Sequence, residues 1–252
     1  MIYNLAHLEL SWIQWGVYGL AAFMFGLSKS GVKGLAIFTI TIMAIAFGGR
    51  PSTGIVMPML MVGDIFAITY YRRHVMWKHL LILLPWMLAG ILVGAWMGKG
   101  IEEDLFIRIM AALIILSVGI MVWWDIRKSF YIPDSRWFGI GLGAIAGIST
   151  MLGNLAGSFT NLYFLALRLP KISFIGTAAY LFFFTNLFKL PLHIFMWETI
   201  SISTAMMYLY VFPFQIIGLI TGAVFIKRID EDFFRKMILL LTALGAILII
   251  LR

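Results

Sequence analysis

At 252 residues, with 62% hydrophobic and 12% charged positions and a mean hydropathy of +1.00, the chain is far more apolar than a soluble domain. Soluble domains carry about 45–50% apolar and about 25% charged residues. The absence of cysteine excludes disulfides and thiolate metal sites, and the net charge of +8 is spread over short loops, as in cytoplasmic anchoring and unlike a nucleic-acid surface.

These numbers describe an all-α polytopic membrane protein, with the lipid bilayer as its first partner. The opening MIYNLAHLELSWIQWG lacks a basic n-region and a small-residue cleavage pattern, so the first apolar segment is expected to stay in the mature chain. Apolar segments follow at Trp12 to Leu27, Leu35 to Phe47, Gly54 to Tyr70, Leu80 to Gly98 and Leu105 to Trp124. After the polar linker DIRKSFYIPDSR they resume at Trp137 to Leu152, Leu155 to Leu167, Phe174 to Leu192, Ile202 to Ile226 and Phe233 to Leu251.

Two of the ten are short. The segments from Leu35 and Leu155 hold about 13 residues, near 20 Å of helix, against roughly 30 Å of hydrocarbon. Each follows a stretch rich in glycine and hydroxyl residues, GLSKSGVKG (Gly26 to Gly34) and GISTMLGNLAG (Gly147 to Gly157). Each is therefore expected to be the second limb of a re-entrant hairpin or broken helix.

The chain also repeats. LPWMLAGILVGAW from Leu84 aligns with FPFQIIGLITGAV from Phe212, matching Pro85 to Pro213, Gly90 to Gly218 and Gly94 to Gly222. The same register matches IEEDLF from Ile101 to IDEDFF from Ile229, and VGDIF from Val62 meets FTNLF from Phe184, pairing Asp64 with Asn186. The organisation read from this is a first repeat over 1–124, a cytoplasmic linker over 125–136 and a second repeat over 137–252.

Loop charge decides the orientation. With both broken pairs as hairpins and the N- and C-termini outside, twelve loop Lys and Arg residues fall in the cytoplasm against five outside. If each broken pair is one crossing, the same residues split nine against eight. The positive-inside rule selects the first arrangement. Each repeat is then a broken hairpin plus three transmembrane helices, and the odd number of crossings makes the two repeats inverted, in an inner membrane.

Inverted repeats bring matching elements together at the bilayer midplane. The two breaks would then meet there, each presenting the N-terminus of a short helix, whose free N–H groups and dipole favour an anion. Lys29 and Lys33 add charge, while Ser28, Ser30, Ser149, Thr150, Asn154 and Asn186 supply neutral hydrogen-bonding groups beside Gly34 and Gly153. The competing reading makes both lysines positive-inside residues that snorkel to the surface, and Asn154 a helix cap.

Asp64 lies too far along its helix from Arg72 to reach an interface, which leaves a buried pair with Lys33 or Lys29, a proton carrier, or an inert neutral acid. Protons are accordingly the candidate coupling ion. Lys189 falls roughly 22 Å along its helix from Phe174, toward the outer face, and ranks with Thr53 and Thr177 as a secondary candidate. His74 and His79 have the wrong spacing for a metal site, the acidic clusters at Glu102 and Asp230 suit helix starts, and the tryptophans at segment ends, Trp197 among them, suit an interfacial belt. No catalytic residue and no cofactor is read from the chain. Oligomeric state is not legible.

KSGVKGLA, STGIVMPMLMVGDIFAITYYRRH, LLPWMLAGILVG, GISTMLGNLAGS, LPKISFIGTAA and TNLFKLP together resemble the sulfite exporter TauE/SafE family over nearly the whole chain. Many members have a glycine-rich run in the first break, where this chain has Ser28, Lys29, Ser30, Val32 and Lys33. The resemblance implies export or exchange of sulfite, sulfonates or related small oxyanions. The function expected is a secondary transporter of small anions working by alternating access. A passive anion channel is the alternative; an intramembrane enzyme acting on lipid lacks a nucleophile, an acid pair or a metal cluster.

Overall fold

The computed structural model describes residues 10–32, 35–126 and 136–230, with isolated positions beyond. The linker's residues 127–135, the pair Lys33 and Gly34, and most of the last apolar segment lie outside the described residues. Everything described is helix and connecting turn. The order is α1 (Trp12–Lys29), α2 (Leu35–Phe47), α3 (Gly49–Ile55), α4 (Met57–Tyr71), α5 (Trp77–Gly98) and α6 (Glu103–Ile126), followed by α7 (Arg136–Gly153), α8 (Ala156–Ala166), α9 (Lys171–Pro191) and α10 (Ile202–Arg228).

Local chemistry sets the ends. Ser11 and Ser201 cap α1 and α10 through reciprocal bonds with Gln14 and Thr204. At the close of α1, Gly31 takes φ 132°, its N–H reaches Ser28 and the next N–H reaches Leu27, a Schellman-type stop that satisfies the last carbonyls. The acid-rich start of α6 places Glu103 and Asp104 in its first turn.

The two short helices are short as expected: α2 has 13 residues, and α8 has 11 against the 13 or so read from the sequence. One break was not anticipated: the segment from Gly54 divides at Val56, and α3 leaves α2 at 117°. Pro58, in the first turn of α4, suits a new helix start there. Pro85 and Pro213 lie inside helices that run on past them, whereas Pro191 ends the regular part of α9 and leads into a π-helical turn, Leu192–Met196. Among the described residues three helices, Trp77–Gly98, Lys171–Met196 and Ile202–Arg228, are long and apolar enough to cross a membrane, or four spans if the bent pair α2–α3 counts as one.

Two close helix crossings frame the molecule. α1 meets α10 where Gly26 faces Gly218, and α5 meets α7 where Gly90 faces Gly147. A Cβ on Gly218 would lie 2.1 Å from the carbonyl of Phe23, and one on Gly90 2.2 Å from that of Ala144. With no hydrophobic drive between helices in lipid, such approach is what lets backbones pack. Gly218→Val is therefore expected to destabilise by about 1–3 kcal/mol or more through overpacking, read as a lower unfolding midpoint in detergent; an unchanged midpoint would show that the crossing yields.

Between the crossings, α4 packs on α9. The start of α9 approaches so closely that a Cβ on Gly176 would be 3.1 Å from the carbonyls of Tyr71 and His74. These two helices carry Asp64 and Asn186 into the interior. Trp197 does not join an interfacial belt: it is buried, donates from Nε1 to the Ala95 carbonyl at 3.0 Å and packs against Phe106, because the π-helical turn folds it back onto α5. Trp12, Trp77 and Trp137 are exposed, as a belt requires.

Candidate functional site

A cavity of about 50 Å³ opens where both breaks meet α4 and α9. The first turns of both short helices reach it, through Ala36 of α2 and through Ala156 and Gly157 of α8. No side chain caps the N-terminus of α8, so its leading N–H groups are not consumed by a capping bond. Ser28, Lys29, Thr150, Asn154, Asn161 and Asn186 supply the polar wall; Phe25, Leu60 and Phe182 supply the apolar one.

Charge in this wall is organised in two networks. In the first, the Lys29 ammonium donates to Asp64 Oδ1 at 2.5 Å, and Asn186 Nδ2 donates to Asp64 Oδ2 at 2.7 Å. Asp64 is completely buried, and Phe182 covers the ammonium with its ring centroid 5.3 Å away. Of the readings open for Asp64, this geometry is the buried pair with Lys29. Such a pair recovers its desolvation cost only when its remaining lone pairs are bonded, which is the part Asn186 plays.

In the second network, the Lys189 ammonium donates to Asn154 Oδ1 at 2.5 Å, to the Thr150 carbonyl at 3.0 Å and to Thr150 Oγ1 at 3.2 Å. Asn154 in turn donates from Nδ2 to the Thr53 carbonyl at 3.2 Å, and holds its own backbone at φ 56°, the left-handed conformation that asparagine tolerates. Every partner of Lys189 is neutral. Lys29 is paired with Asp64, and Lys189 has no carboxylate against it among the described residues. The helical distance from Phe174 set Lys189 toward an outer face; the structure gives it no exposed surface and packs it behind the second break.

The remaining sequence candidates divide. Ser28 lines the cavity. Ser30 is turned back to the carbonyls of Gly26 and Leu27, and its own carbonyl accepts from the Tyr71 hydroxyl at 2.5 Å. Ser149 bonds the Ala146 carbonyl, and Gly153 is enclosed by Leu155 and Met110, so both shape the break without facing the cavity. Thr53 reaches the site through its carbonyl alone. Thr177 lies elsewhere: its hydroxyl accepts from the N–H of Met76 and donates to Ser173, tying the turn before α5 to α9. Lys33 and Gly34 fall outside the described residues. No group of three or more His, Asp or Glu side chains able to hold a metal occurs among the described residues.

Two participants escaped the sequence reading. Asn161 sits in an apolar run and was absorbed into it, although an amide in a membrane helix is itself a signal. Gln215 of α10 is fully buried, accepts from the Tyr208 hydroxyl at 2.6 Å and donates to the Met59 carbonyl at 2.7 Å. It fastens α10 to α4 five residues before Asp64.

No curated protein and no solved structure matches the chain. The family model described as sulfite exporter TauE/SafE matches residues 18–249. With nearly the full length matched and apolar helices able to span a bilayer, the chain belongs to the sulfite exporter TauE/SafE family, a family of membrane transporters.

Proposed function

We propose that the chain is a secondary transporter of a small oxyanion of the sulfite or sulfonate class, bound in the cavity between the two breaks. The observation that carries this reading is the charge imbalance at its wall: Lys29 lines the cavity paired with Asp64, while the buried Lys189 lies behind Thr150 and Asn154 of that wall with no carboxylate against it among the described residues, and an uncapped helix N-terminus stands alongside. One uncompensated buried cation is costly, and a bound anion offsets it. Thr150, Asn154 and Ser28 then supply neutral contacts, with Lys33 and Gly34 the further candidates on the first break.

The transport cycle fits an inverted-repeat frame, with repeats over 1–124 and 137–252. The α1–α10 and α5–α7 crossings support it, because the glycines matched in sequence, Gly90 and Gly218, occupy corresponding places in them. So do Asp64 and Asn186, matched in sequence and hydrogen-bonded across the centre. One repeat rocks against the other in an inner membrane, both termini outside. Asp64 is the candidate coupling residue of this cycle, with protons the candidate coupling ion.

Counterflow tests the reading. Proteoliposomes preloaded with unlabelled sulfite are expected to accumulate labelled sulfite transiently above equilibrium. Flux that only follows the electrochemical gradient, with no transient accumulation, would identify a passive channel and overturn the carrier mechanism.

A further inference from the structure

We infer that Asn161 reads the substrate, and that the anion this cavity accepts carries a hydrogen-bond donor, a hydroxyl or a protonated oxygen, beside its charged oxygens. The inference rests on the anion-site reading above and narrows its substrate class.

Three carboxamides line the cavity, and two are committed to the protein. Asn186 donates to Asp64; Asn154 accepts from Lys189 and donates to Thr53. Asn161 is different. It is the sixth residue of α8, only 3% exposed, and its Oδ1 is buried with no hydrogen-bond partner. Its Nδ2 makes no hydrogen bond to any described residue either, and Asn161 is one of the residues lining the cavity that Lys29, Thr150 and Asn186 share. A buried polar group without a partner is uncommon and calls for an explanation, and a ligand is the explanation the cavity offers.

A free carboxamide presents a donor and an acceptor side by side. Rotating it by half a turn exchanges the two atoms and leaves the pair intact, so the argument holds for either assignment of the oxygen and nitrogen. The Asn161 N–H has a natural partner in any oxyanion. The carbonyl has none, because a fully deprotonated oxyanion brings acceptors only. Nor does any described group donate to it: the two lysine ammonium groups are directed to Asp64 on one side and to Thr150 and Asn154 on the other. A ligand that displaces water from such a group keeps its affinity only by restoring both bonds. The cavity's small volume, about 50 Å³, limits the rest of the ligand to a few heavy atoms.

The test uses the full chain in detergent and two pairs of monoanions that differ by one hydroxyl, ethanesulfonate with 2-hydroxyethanesulfonate and acetate with glycolate. Dissociation constants are measured by titration calorimetry or thermal shift. The hydroxylated member is expected to bind at least about tenfold tighter in one pair or both, the scale on which buried polar groups discriminate. Asn161→Leu, close in size and unable to hydrogen-bond, is expected to bring that ratio to about one. Equal binding within both pairs by the wild-type protein, or a preference that survives in Asn161→Leu, overturns the inference and leaves the anion site standing. Failure of all four anions to bind removes both. If Asn161→Leu does not fold, the wild-type ratios decide.

Discussion

Asp64→Ala is expected to cost about 3–5 kcal/mol of stability, and the double replacement of Lys29 by Met and Asp64 by Leu to regain most of it. The carboxylate is completely buried and accepts from Lys29 at 2.5 Å and from Asn186 at 2.7 Å. Truncating it strands the Lys29 ammonium in the interior with Phe182 as its remaining neighbour of note. Removing both charges leaves no ion stranded, only the neutral Asn186 amide without its acceptor, and apolar side chains of similar volume fill the space; this asymmetry between breaking a buried pair and replacing it governs the outcome. Unfolding followed by tryptophan fluorescence in a single detergent gives the two differences. A single variant within about 1 kcal/mol of wild type, or a double variant no better than the single, would show that Lys29 and Asp64 do not form one energetic unit.

Lys189→Met is expected to leave a folded protein that no longer responds to anions. Lys29 already has a carboxylate; Lys189 has only the oxygens of Thr150 and Asn154, so the positive charge that an anion neutralises sits behind the second break. Losing one member of a desolvated charge pair typically costs about 2–5 kcal/mol of binding, at least about thirtyfold in Kd. Stabilisation by sulfite should therefore disappear over a concentration range that saturates the wild-type protein, by the mass-action relation between ligand and midpoint. In the absence of anion, the variant should lose less stability than Asp64→Ala, because no charge is left unpaired. An unaltered sulfite response would move the anion away from Lys189 and back to the lysines of the first break.

The legible part of this molecule was the part that depends on length and local backbone chemistry. Counting apolar residues isolated α2 and α8, and the glycine and hydroxyl runs marked the turns before them, since those residues weaken helix wherever they fall. The Val56 break was harder to see because the residues around it are apolar, and Pro58 alone, compatible with a helix start or a kink, did not decide between them. The site shows the same division. Asp64 and Asn186 could be paired from the repeat, and the structure brings them into direct contact. Lys189 could not be placed, because distance along one helix says nothing about what packs against it, and Thr150 and Asn154 arrive from another element. Asn161 was lost in an apolar run whose average outweighs one amide.

The two buried lysines also bear on how the chain enters the membrane. Lys29 finds Asp64 35 residues away, and Lys189 finds Asn154 and Thr150 at separations of 35 and 39, so each ammonium is met by groups synthesised shortly before or after it. The bonds that tie residues before the linker to residues beyond it at this centre, Asn186 to Asp64 and Asn154 to the Thr53 carbonyl, have separations of 122 and 101 and come from neutral amide donors. A nascent first half therefore brings its own counter-charge into the bilayer and does not wait for the ribosome to deliver the second. Assembly of the centre is left to neutral amide donors, whose bonds form late without bringing a further ion into lipid.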